Sequence, residues 1–318
     1  MTEIPHRRLG ASGIDVSVIS LGSWRTYERI PREQGAAVMR AAREAGIDFL
    51  DDARYDDETG TAPIRTGYSE IVFGELFRAV GWKRDEVVIA NKLWWEFWPG
   101  QSAAEELDAS LGRMGLEHVD LIYAERPPEG LSIEGIVSSV AGLIGSGKAR
   151  AWGVLNWRAE LVAEAARVAM REGAPPPCAA QLAYSLAYSQ VVENEAMEMA
   201  LDAAGASVVA SAVLAGGALT GKYASRGGGR LADQLDAPRW AKALRIGERL
   251  GPLAERLRAT PSQLALAYAL AGRRVASVLF GATTPEQVAE NVGTLELLER
   301  LNEAELEELR ALAVSAPG

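Results

Sequence analysis

Cysteine and histidine are almost missing from this chain of 318 residues: Cys178 is the one cysteine, and His6 and His118 are the two histidines. A lone cysteine excludes an intramolecular disulfide, and nothing points to an oxidising compartment. So little imidazole and thiolate removes a His/Cys zinc site and leaves almost nothing for a Ser–His–Asp arrangement. Charge of positive sign is also short, with 33 basic against 43 acidic side chains and a net charge of −10. There is no Lys/Arg run or basic stripe, so no nucleic-acid partner is expected. Long apolar runs are absent too. The longest mainly apolar stretch, 206–219, holds two serines and two glycines, too short and interrupted to span a bilayer, so no membrane partner is expected. The first residues, Met1-Thr2-Glu3-Ile4-Pro5-His6-Arg7-Arg8, lack the apolar core of a signal peptide, and a cytoplasmic location is the expectation.

What is present suits a globular protein, with 48% hydrophobic and 24% charged residues supplying a sizeable core. Short, near-continuously apolar runs at 16–21, 47–50, 86–90, 119–124, 150–155, 178–181, 207–212 and 277–280 read as strands buried on both faces. Helix punctuation fills the intervals. Ser102-Ala103-Ala104-Glu105 has the form of a capping box, followed by Leu107, Leu111 and Met114 on one face and Gly115 at the end. Thr260-Pro261-Ser262-Gln263 and Thr284-Pro285-Glu286-Gln287 repeat one start signal, with Thr as cap and Pro at the first helical position. Gly46, Gly147 and Gly173 sit at expected helix ends, and a terminal helix opens at Asn302 and runs through Leu306 and Leu309. Eight strand–helix units in one chain favour a closed (β/α)8 TIM barrel over an open doubly wound sheet. No linker divides the chain, so residues 1–318 are expected to form a single domain, with Gly227-Gly228-Gly229 as a loop inside one unit.

Two phosphate-loop patterns come close and fail. Gly145-Ser146-Gly147 lacks the third glycine of the dinucleotide fingerprint and follows a helical stretch, so it reads as a helix stop. The run from Gly216 to Lys222 follows a strand but continues into Tyr223, where a P-loop needs Ser or Thr to hold magnesium. That excludes a nucleotide triphosphatase. The segment still offers backbone N–H groups and a lysine at the carboxyl end of a strand, where barrels bind phosphate. The acidic run from Asp51 to Glu58 lacks calcium-loop spacing. Its Asp56, Asp57 and Glu58 read as a solvated loop, and no metal is expected.

Charged residues at the carboxyl ends of strands carry more information, because those ends converge on the mouth of a barrel. Asp51, Lys92 and Glu125 each follow one of the apolar runs, and Tyr55 lies in the loop after Asp51. Lys92 can pull the Tyr55 phenol down and Asp51 can hold Lys92 charged, giving a proton-transfer cluster. The competing reading of Asp51 and Lys92 is a structural ion pair.

The order of short motifs resembles the aldo-keto reductases. Arg8-Leu9-Gly10-Ala11-Ser12-Gly13 and Ser20-Leu21-Gly22 are similar to that family's opening, where a hairpin plugs the barrel floor. Asn91-Lys92, Val119-Asp120-Leu121, Gly147-Lys148-Ala149-Arg150, Gly153-Val154-Leu155-Asn156, Tyr184-Ser185-Leu186, Leu219-Thr220-Gly221-Lys222-Tyr223 and Glu290-Asn291 follow in the family's order. The resemblance implies an oxidoreductase that binds NADPH, or NADH, across the barrel mouth and transfers a hydride to a carbonyl of a small-molecule substrate. It gives Asp51, Tyr55 and Lys92 the family's catalytic roles, with the tyrosine as proton donor. Asn156 and Gln181 would hold the nicotinamide carboxamide, with Gly22, Ser23 and Trp24 near that end. Ser211, Leu214, Gly217, Leu219, Gly221 and Lys222 would follow the nicotinamide and pyrophosphate, and Gly281, Ala282, Thr283, Gln287, Glu290 and Asn291 would surround the adenosine.

Departures from the family pattern bear on function. Glu125-Arg126-Pro127 stands where the family usually has a histidine in a motif like His-Arg-Pro. A glutamate there helps only if burial keeps it protonated. Steroid enone reductases in the family have glutamate at this place, which raises carbon–carbon double-bond reduction as an alternative. A cofactor-binding regulatory subunit, similar to potassium-channel β subunits, is a further one. Tyr55 stands four residues after Asp51, where the family usually has five. Tyr68 is therefore a rival donor, with Tyr55 favoured for its place beside Asp51. Ser211-Ala212-Val213 replaces a segment that often supplies a tyrosine to stack on nicotinamide, and Gln287 stands where some members carry arginine. Trp94, Trp95 and Trp98, close to Pro99 and Gly100, are expected to wall an apolar, aromatic or sugar-ring substrate. The sequence does not specify an oligomeric state.

Overall fold

Apolar runs with no polar face bury both sides only when other layers cover them, and a sheet closed on itself inside a ring of helices achieves this. The computed structural model describes residues 3–223, 231 and 235–314. Its eight parallel barrel strands are β3 (Ile19–Gly22), β4 (Phe49–Asp51), β5 (Val88–Leu93), β6 (Val119–Ala124), β7 (Ala149–Leu155), β8 (Ala179–Ala183), β9 (Ser207–Ser211) and β10 (Val275–Phe280). They pair in that order, and β10 closes on β3. The protein is a (β/α)8 TIM barrel with an added antiparallel hairpin, β1 (His6–Arg8) and β2 (Asp15–Ser17). Gly227, Gly228 and Gly229 lie outside the described residues.

Several strands begin and end a few residues from the apolar runs, β3 and β5 most of all. The run 16–21 is split: Val16 belongs to β2, whose ladder ends with the Val18 N–H donating to the Pro5 carbonyl at 3.0 Å, and the chain bends at Val18 before β3 starts. The run 86–90 slides forward to β5, which takes in the polar Asn91 and Lys92. Asn91 points to the helix layer and donates to Glu70 at 2.9 Å, while Lys92 points inward.

The hairpin seals the floor. Leu9, Ile14 and Val16 pack with Phe49, Val88 and Leu121 inside the barrel. Gly10, at φ +52°, lets the hairpin turn press on the barrel, since a Cβ there would sit 2.1 Å from the Cys178 carbonyl oxygen. Outside, α1 (Arg32–Ala45), α2 (Tyr68–Val80), α3 (Ala103–Met114), α4 (Ile133–Gly145), α5 (Ala159–Glu172) and α6 (Glu195–Ala204) alternate with strands. They are followed by α7 (Pro238–Leu257), α8 (Pro261–Leu270), α9 (Pro285–Val292), α10 (Thr294–Arg300) and α11 (Glu303–Val314). The Ser102 and Thr260 capping boxes form, and Thr284 caps α9. Gly46 and Gly173 end α1 and α5 in the left-handed region. Among the described residues no helix is long and apolar enough to cross a membrane.

Candidate active site

Side chains alternate along a strand, so the register decides which residues reach the barrel mouth. Asp51 aligns with Ala90, and Lys92, two residues further along β5, aligns with Tyr123. Asp51 and Lys92 therefore project inward one layer above the interior residues Phe49 and Ala90. Lys92 Nζ donates to Asp51 Oδ1 at 2.6 Å and to the Tyr55 hydroxyl at 2.9 Å. Gln181, from β8 across the barrel, donates to the other Asp51 oxygen at 2.8 Å. Asp51 and Lys92 are 2% and 3% exposed, so water competes little for these bonds. Burial would lower the Lys92 ammonium, but Asp51 and then Tyr55 outweigh it and raise it. Burial also raises the Tyr55 phenol, against the downward pull of Lys92. Burial wins, reversing the net direction that the lysine alone would impose, and the phenol is held as the proton-bearing form.

The rim around this trio is built from turns. Asn156 follows β7 with φ +53° and an exposed side chain, its backbone N–H tied to the Gln181 carbonyl at 2.9 Å. After Ser211 at the end of β9, Ala212, Ala215, Gly216, Gly217 and Gly221 all take positive φ. The turn closes on itself, the Ala215 N–H donating to the Ala212 carbonyl and the Gly217 N–H to the Leu214 carbonyl, both at 2.8 Å. Leu219 is fully buried and anchors this turn, while Leu214 is half-buried. Lys222 folds back over it so closely that a Cβ on Gly217 would lie 2.8 Å from Lys222 Nζ. A cation over a glycine turn at the end of a barrel strand fits a pyrophosphate. Beyond β10, Gly281, Ala282 and Thr283 lead into α9, where Gln287 accepts from the Thr283 N–H at 2.8 Å. Glu290 accepts from the Thr260 hydroxyl at 2.7 Å, and Asn291 is buried.

The profile of the Aldo/keto reductase family matches residues 18–314. The chain belongs to the aldo/keto reductase family. Among full-length relatives, a "Probable voltage-gated potassium channel subunit beta" of Oryza sativa subsp. japonica is 31% identical over 333 aligned residues, covering 98% of this chain and 97% of the relative. A "Putative voltage-gated potassium channel subunit beta" of Schizosaccharomyces pombe is 34% identical over 321, covering 94% and 90%.

The remaining candidates of this aldo/keto reductase family member are placed differently from the trio. Tyr68 opens α2, and its hydroxyl accepts from Arg32 at 2.8 Å, so it bonds away from Lys92. The Glu125 side chain is 21% exposed and accepts from Arg126 at 3.2 Å. The three tryptophans separate. Trp94 stands edge-on to Tyr55, ring centroids 6.0 Å apart, and lines the mouth cavity. Trp95 is buried in the core and donates to the Glu125 carbonyl, and Trp98 packs against it. The Glu106 carboxylate accepts from both the Trp94 and Trp95 N–H groups and ties the loop to α3, and the left-handed backbone at Trp95, φ +60°, turns the chain between the two rings. Gly22 ends β3. Ser23 turns inward and donates to the fully buried Asp52, whose carboxyl burial raises well above the carboxylate range. Trp24 is exposed on the cavity rim.

Sequence reasoning missed Arg25, Glu28, Arg54 and Glu96, which line the same cavity. It also read Glu58 as merely solvated, whereas Glu58 pairs with Arg25 and Arg29. The available signal was Arg54, standing between Asp51 and Tyr55 in one loop.

Proposed function

We propose that this chain is an NAD(P)H-dependent oxidoreductase that reduces an aldehyde or ketone, with Tyr55 donating the proton. The observation that carries this is the single Lys92 ammonium bonded at once to Asp51 at 2.6 Å and to the Tyr55 hydroxyl at 2.9 Å. A bound reduced nicotinamide supplies the hydride. The protein supplies the rest. Tyr55 presents a protonated phenol at the cavity, and Lys92 stabilises the phenolate left after the proton has gone to the carbonyl oxygen. Asp51 keeps Lys92 charged, and Gln181 fixes Asp51. Asn156 and Gln181 are the groups nearest to hand for a carboxamide at the mouth, and Lys222 with its glycine turn for a pyrophosphate. The test is titration with NADPH and NADH, followed by carbonyl-dependent oxidation of the bound form. NADPH is the expected preference. No binding of either nucleotide would overturn the reading.

Enone reduction by Glu125 ranks lower because its carboxylate is paired with Arg126 and partly exposed. Product analysis on an enone separates the two: an allylic alcohol supports the carbonyl reading, and a saturated ketone supports the other. The relatives named as potassium-channel β subunits favour a second reading, a cofactor-binding regulatory subunit. Tight nucleotide binding with negligible turnover and a stable protein partner would select it.

A further inference from the structure

The mouth cavity has a volume of about 430 Å³, at the small end of ligand pockets and suited to one substituted ring. Its inner wall is aromatic, with Tyr55 and Trp94 edge to face. Trp24, 47% exposed, stands on the rim with the Arg25 guanidinium 4.7 Å from its ring centroid. The charged lining comprises four carboxylates, from Glu28, Asp56, Glu58 and Glu96, against two guanidinium groups, from Arg25 and Arg54.

Both cations are already committed. Arg54 is 8% exposed, pairs with Glu96 at 2.6 Å and donates to Thr66 at 2.9 Å. Arg25 pairs with Glu58, which also takes Arg29 at 3.1 Å. Glu28 accepts from the Thr26 N–H and from Arg29. Asp56 is left over: it follows Tyr55 directly, is exposed, and pairs with no cation among the described residues. An anionic substrate entering here meets an unmatched carboxylate beside the proton donor, and to gain an arginine it must break a pair that already exists. A cationic group meets attraction at the same place.

Resting on the carbonyl-reductase reading, we infer that the substrates of this site are aromatic carbonyl compounds that are neutral or carry a positive charge, and that carboxylate-bearing ones are selected against. Asp56 is the residue that sets this preference.

The experiment compares three benzaldehydes whose para substituent sits beyond one methylene: trimethylammonio, hydrogen and carboxylate. Each is measured for turnover with NADPH, and the matching benzyl alcohols for binding by tryptophan fluorescence, since Trp24 and Trp94 line the cavity. The expected KM is about tenfold lower for the cation than for the anion at low salt, shrinking to about twofold near 1 M salt, where charges are screened over about 3 Å. Asp56→Asn is expected to shrink the same ratio without salt. Turnover of the neutral aldehyde with equal KM values, or with the anion favoured, overturns this inference and leaves the reductase reading standing. If no aldehyde is turned over, the reductase reading falls, and the alcohols decide the charge preference alone: cation bound more tightly than anion upholds it, and any other order overturns it.

Discussion

Each end of the barrel holds a buried aspartate paired with cations, and the two ends use that pair differently. At the N-terminal end of β6, Asp120 accepts from Arg84 at 2.6 Å, from Arg150 at 2.7 Å and from the Ile89 N–H at 2.8 Å. At the mouth, Asp51 accepts from Lys92 and Gln181 among the described residues, and Lys92 spends a further proton on the Tyr55 hydroxyl. At the floor the carboxylate is the hub, and each bond it accepts serves packing. At the mouth the ammonium is the hub, and one of its partners is a titratable phenol that borders a cavity. An ion pair therefore acquires a chemical use when it is shared with a group that faces an open space. In the sequence, Asp51 follows its apolar run and Asp120 stands at the start of another; the register then shows which partners each one reaches.

The sharpest way to break this comparison is Lys92→Met. It is expected to lower carbonyl-dependent kcat by about 10²–10⁴-fold, measured as NADPH oxidation, with nucleotide binding retained. The floor responds in stability instead. Asp120→Ala leaves the Ile89 N–H and two guanidinium groups without their acceptor, and these arginines are 22% and 56% exposed and can regain water. A loss of about 2 kcal/mol is expected in urea denaturation, below the 3–5 kcal/mol typical of a fully buried pair, with kcat/KM of the folded enzyme unchanged. A loss of activity at constant stability would show that the two ends are not separable.

A smaller effect sharpens the mouth alone. Burial raises the Tyr55 phenol by more than Lys92 lowers it. For reduction, which consumes the phenolic proton, kcat/KM is expected to stay level through neutral pH and to fall only above the ordinary phenol range near about 10. A fall between about pH 7 and 8 would mean that Lys92 outweighs burial.

Much of the fold was legible because strands buried on both faces announce themselves as apolar runs. Their ends were less so. Asn91 and Lys92 interrupt the apolar pattern of β5 because each serves a partner outside the strand, Glu70 for one and Asp51 for the other. Val16 looks continuous with β3, yet it pairs with Arg7 in the hairpin and the chain bends at Val18 between the two strands. At the site, Asp51, Tyr55 and Lys92 could be named because strand ends converge in a barrel, and Gln181 only through the family resemblance. The division among Trp94, Trp95 and Trp98 could not, since it depends on the left-handed backbone at Trp95 and on Glu106 capturing two backbone N–H groups from another element. The pairing of Arg54 with Glu96 was hidden for the same reason, two loops meeting only in the folded chain.

On the proposed mechanism the hydroxyl bonded to Lys92, and not that of the other tyrosine of the same loop region, delivers the proton. Paired variants test it most directly, with carbonyl-dependent NADPH oxidation measured for Tyr55→Phe and Tyr68→Phe side by side. The account predicts a loss of at least about 10²-fold in kcat for Tyr55→Phe, and near wild-type kcat for Tyr68→Phe, whose hydroxyl serves Arg32. Full activity in Tyr55→Phe, or a collapse confined to Tyr68→Phe, would contradict it.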